Sequence, residues 1–243
     1  MGRSPVRLLS WIVAASFILA TALVYVDQFN LVATPPDLPE STNMVDRTIA
    51  LSGYFHAIWP VFLWTFLLFG IGFLALVPFA ANVASRAGIA GGMPTFKSLM
   101  TAGGVIGAIA SIIPVGAAEG KVFVQYCDCG FKETEIVSQL WAQMTSEEIA
   151  NWFLRVAGVA LAIALVALVR EAPTLVPPVL RTWTSITAVA LVLAALLATT
   201  EALSPDAVGL LQAIIGVVLI PVWAVWLGRS VDAGPEAPPA APV

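Results

Sequence analysis

Hydrophobic residues in this chain do not recur at the spacing of an amphipathic helix or a half-buried strand. They run together in six continuous blocks, separated by segments rich in charge, proline or glycine. The blocks fall at about Leu8–Val26, Ala57–Ala81, Leu99–Ala118, Trp152–Val169, Trp183–Thr199 and Val208–Leu227. At about 1.5 Å of rise per helical residue, about 20 residues cover a hydrocarbon layer about 30 Å thick. Inside lipid every backbone N–H and C=O must pair within its own segment, which selects helix. The blocks are too continuous to be the alternating strands of an outer-membrane barrel. The pattern predicts an all-α polytopic membrane protein, with six transmembrane helices forming one domain over residues 1–230.

The segments between the blocks are unequal. Residues 85–97 and 170–182 are short, and Ser204-Pro205-Asp206 is a tight turn. Residues 27–56 and 119–151 are long enough to carry structure of their own, and they predict a small helical extracytoplasmic cap. In the first, Asn43 can cap a helix with Asp46 at its third position, running to a bend at Pro60. In the second, Glu135–Met144 predicts a short separate helix. Thr145-Ser146-Glu147-Glu148 then reads as a capping box opening the fourth span. Pro114 and Pro221 predict kinks in the third and sixth spans. From Val231 to Val243 the Pro/Ala-rich tail is predicted to be disordered.

Charge sets the orientation. Of the 243 residues, 59% are hydrophobic and only 11% charged, against about 25% in soluble domains. Arg3, Arg7, Arg86, Lys97, Arg170, Arg181 and Arg229 fall on one side of the blocks, and Arg47, Lys121, Lys132 and Arg155 on the other. The positive-inside bias puts both termini in the cytoplasm. Short inner loops and Ala/Val-rich spans suggest a bacterial inner (plasma) membrane. Arg3 and Arg7 before a stretch ending in Ala20-Thr21-Ala22 also resemble an export signal, which we take as a retained first span. Trp11, Trp183, Trp223 and Trp226 fit one interface and Trp59, Trp141 and Trp152 the other, leaving Trp64 as a packing residue. A net charge of −4 with no basic block excludes nucleic acid as a partner. The expected partners are the lipid bilayer and other membrane subunits or a second copy of the chain.

Candidate chemistry is sparse. His56, Glu119, Arg155 and Glu201 sit at the outer ends of spans and would form a polar ligand or ion vestibule if the helices converge there. Arg155 with Glu119 is the pair we would single out. The simpler explanation is salt bridging and snorkelling near the headgroups. Cys127 and Cys129 form a C-x-C in the second outer segment, a candidate for a disulfide, redox or partner contact. With one histidine in the chain they lack the further ligands a metal site would want, so no metal ligand is assigned, and the cofactor content stays open. Gly103 and Gly107, with Gly104 between them, let helix backbones approach closely. No phosphate-binding loop, dinucleotide fingerprint, nucleophile elbow or paired intramembrane carboxylate is present. The leading expectation is a non-catalytic accessory or assembly subunit of a membrane complex. The alternative is a small transporter or channel with a polar outer vestibule, and the third an outer-leaflet redox or metal enzyme using the cysteine pair.

Overall fold

A computed structural model describes residues 4–29, 31–34, 37, 44–86, 92–126, 133–200 and 204–233. Its helices are α1 (Pro5–Gln28), α2 (Met44–Arg86), α3 (Pro94–Tyr126), α4 (Glu133–Glu171), α5 (Pro178–Thr200), α6 (Pro205–Ile214) and α7 (Ile220–Ala233). A single π-helical turn, Ile215–Leu219, joins α6 to α7. Six segments are long and apolar enough to span a bilayer, the sixth built from α6, the π turn and α7. The chain is therefore an all-α polytopic membrane protein, with the α2, α3 and α4 helices extending well past their apolar spans.

The helices alternate in direction, so the start of α1 and the end of α7 lie at one end of the bundle, here called the terminal face; the opposite end is the distal face. Each span packs on its predecessor, and α7 returns to pack on α1, which closes the six into a ring. Small residues make the seams. A Cβ on Gly104 would lie 2.7 Å from the Phe73 carbonyl oxygen, and one on Gly107 would lie 2.4 Å from the Phe73 ring. Gly103 faces the other way, with Leu161 of α4 at 2.8 Å from its Cβ position. Gly103 and Gly107 thus serve different neighbours, and the pair lying against α2 is Gly104 with Gly107. The closing seam has the same device, because a Cβ on Gly228 would meet Ser10 Oγ at 2.7 Å.

The helix beginning at Met44 is continuous through Pro60 and Pro78 to Arg86. Two expectations about the segment ends need correction. Thr145-Ser146-Glu147-Glu148 does not open a helix, because α4 already runs from Glu133; Ser146 Oγ donates instead to the Ala142 carbonyl one turn back. The tail does not begin at Val231. Val231 is buried, α7 extends to Ala233, and Asp232 ties it down. The Asp232 carboxylate accepts from Ser4 Oγ and pairs with Arg86 at 2.8 Å and Arg7 at 3.7 Å. Those contacts join the start of α1, the end of α2 and the end of α7 at the terminal face. Residues 234–243 lie outside the described residues.

Pro221 has no N–H, and its ring would clash with the carbonyl four residues back. The π turn immediately before it shifts the hydrogen-bond register, with the Ile220 N–H donating to Ile215 O. The Leu219 carbonyl accepts from the Trp183 indole N–H at 3.2 Å, which ties this irregular turn to α5.

Another helix start is completed from a distance. α3 begins at Pro94 after Met93, whose φ is 53° and whose side chain is buried. Glu171, at the end of α4, accepts from the Thr95 and Phe96 N–H groups at 3.1 Å each. A carboxylate there also meets the positive end of the helix dipole.

Candidate ligand-binding vestibule

The two halves of the ring are packed differently. In the terminal half, apolar side chains fill the axis: Phe79 and Trp223 meet edge to face at 5.9 Å, with Leu76, Val83, Val13 and Leu227 buried around them. The Trp223 indole N–H has no acceptor among the described residues. Trp223 is only 2% exposed, so it is a core residue and not the interfacial ring expected; Trp64, expected to pack inside, is 57% exposed on the lipid side.

In the distal half the ring encloses a cavity of about 470 Å³ to which all six spans contribute. That size lies within the range of about 300–1,000 Å³ typical of small-molecule pockets. Its rim is at the distal ends of the spans, formed by Tyr25, Phe66, Asn151, Ala198 and Gly209. Its floor, near the middle of the spans, is Phe17, Phe73, Leu161, Leu191 and Ile220. Phe17 sits edge-on to Phe73 at 5.1 Å and to Phe69 at 5.9 Å. Gly107 is what allows Phe73 this position. From Asn151 to Leu161 along α4 is about 15 Å, or about half the hydrocarbon thickness.

Polar groups collect at the upper level of this cavity. Arg155, half-buried, donates from Nη2 to the Ala198 carbonyl at 2.7 Å, satisfying one of the last carbonyls of α5. The Trp152 ring lies 4.8 Å from its guanidinium carbon. No carboxylate lies within ion-pair distance of Arg155 among the described residues. Asn151, Gln212 and Tyr25 also line the cavity, and none makes a side-chain hydrogen bond among the described residues. Thr21 and Ser111 donate their hydroxyls to Phe17 O and Gly107 O, so only their lone pairs face inward. Among the described residues the lining contains no acidic group. As described, the cavity is largely apolar, with one cation and a collar of amide and phenol groups at its upper level.

Of the residues singled out from the sequence, Arg155 lines the chamber. The His56 and Glu119 side chains, and Glu201, Cys127 and Cys129, lie outside the described residues. Gly103 and Gly107 sit at the α3 seams. Asn151 and Gln212 carried no sequence signal, because an isolated amide at a span end is unremarkable until its neighbours are known. Among the described residues no cluster of His, Cys, Asp or Glu could hold a metal ion. Comparison of the chain with protein-family models, with curated proteins and with solved structures finds no match in any of the three.

Proposed function

We propose that this integral membrane protein is a small transporter-type binding protein that receives its ligand from the distal side. One feature carries the reading: a cavity lined by all six spans occupies the distal half of the ring and ends at buried apolar side chains around Phe79 and Trp223. An accessory subunit acting only through its outer faces has no use for such a chamber, nor for a collar of polar groups at its mouth. A continuous channel is disfavoured by the Phe79–Trp223 plug. The plug also holds an unpaired indole N–H, which costs about 1–3 kcal/mol and marks a place where an alternative packing would gain. The positive-inside bias supports cytoplasmic termini in a bacterial inner membrane, so the chamber would open on the extracytoplasmic side.

The test is accessibility. In a Cys127→Ser/Cys129→Ser background, Gln212→Cys should react with a membrane-impermeant maleimide added to intact cells. Ala224→Cys, buried in the closed half, should not react. Failure of Gln212→Cys to react from either side of the membrane would overturn the reading, and reaction of both would replace it with an open channel.

A further inference from the structure

We propose that the vestibule takes a single-chain anionic amphiphile, an acyl chain ending in a carboxylate or phosphate; this rests on the vestibule reading above. The argument begins with charge. Among the described residues of the lining, Arg155 is the one cation and none is acidic. A guanidinium carries five donors, and the described residues use one of them, on Ala198 O. A cation at membrane depth is expensive, and its fork geometry matches the two oxygens of a carboxylate or phosphate. The Trp152 ring and the Ala198 carbonyl hold the guanidinium in place, so an arriving oxyanion meets a donor already oriented. Asn151 and Gln212 offer amide N–H donors at the same level.

Shape then selects the rest of the molecule. Below the collar the walls are Phe69, Phe73, Leu161 and Leu191, with no further ionisable group among the described residues. A hydrophilic anion would leave that lower chamber without partners. An acyl chain fills it, with the head at the span ends and the tail towards mid-membrane, the posture of a lipid in the distal leaflet. The volume of about 470 Å³ fits one chain better than a two-chain phospholipid. The position of Gly209 at the rim, with nothing within 4 Å of its Cβ position, leaves room for the head to enter.

Protection of the Gln212→Cys thiol in the cysteine-free background tests this, using full-length protein in phosphatidylcholine nanodiscs and a neutral maleimide. Dodecanoate and dodecyl phosphate should each slow labelling at least tenfold, while dodecanol and dodecyltrimethylammonium should not. Adding Arg155→Gln should abolish protection by the anions, and Arg155→Lys should restore part of it. The comparison of probes on the chain with Arg155 intact decides even if Arg155→Gln does not fold. Equal protection by the cationic, neutral and anionic probes would overturn the assignment while the vestibule stood. Protection by added phosphatidylglycerol, with both single-chain anions ineffective, would overturn the single-chain assignment. A thiol that never reacts would remove the vestibule itself.

Discussion

Arg86, the last residue of α2, holds Asp232 at 2.8 Å across 146 residues of sequence, and so fastens the end of the last span to the end of the second. Arg7 and Ser4 reach the same carboxylate from the start of α1. The arginines are substantially exposed, so water screens them and the contribution is modest. We expect Asp232→Asn to destabilise the protein by about 1 kcal/mol. A double-mutant cycle with Arg86→Gln should return a coupling of about 0.5–1 kcal/mol, measured by thermal unfolding in detergent and shrinking at high salt.

Glu171 should matter more than an exposed carboxylate normally does, because it finishes a helix to which it does not belong. Replacing a helix N-cap by alanine costs about 0.5–2 kcal/mol, and Glu171→Ala should fall in that range. Glu171→Gln keeps the acceptor oxygen and loses the charge, so it should cost less than Glu171→Ala in the same unfolding measurement.

Two glycines predict opposite outcomes for one substitution. Gly107→Ala drives a methyl into the Phe73 ring, and such overpacking costs about 1–3 kcal/mol. Gly209→Ala meets nothing within 4 Å, and a helical alanine is better than glycine there by about 1 kcal/mol. Thermal stability should fall in the first variant and hold or rise in the second. A fall in both would mean that the chamber is narrower than described.

The plug should behave as packed core. Phe79→Ala removes the edge-to-face partner of Trp223, and truncations of this kind cost about 3–5 kcal/mol. Trp223→Phe discards the unpaired N–H along with some volume, so it should cost clearly less than Trp223→Ala.

What the sequence made legible, and what it hid, follows from the solvent. The spans were legible because hydrocarbon thickness imposes a length on any apolar block. Which face of each span looks inward was not, because lipid tails are as apolar as a protein core. Hence Trp64 and Trp223 exchanged places between expectation and structure: composition gives no reason to bury one and expose the other. Arg155 stood out as a cation inside an apolar block. Its acceptor, the Ala198 carbonyl, could not be read, since every residue carries a carbonyl and only packing selects one. Glu171 and Asp232 escaped notice for a similar reason: each acts on a helix end distant in sequence. The capping box at Thr145 illustrates the reverse error. A local signal was present, but α4 had already been propagating for three turns with no glycine or proline to stop it.

The meeting of Ser4 with Asp232 has a consequence for how the polypeptide could be rewired. The first and last helices touch where they emerge on the same side, so a short flexible bridge could join them, and the chain could be opened instead between Ala172 and Pro177. An even number of crossings means that the new ends would leave on that same side, and no helix would need to reverse its direction of insertion. In such a permuted molecule the order of synthesis changes while the circle of neighbours does not.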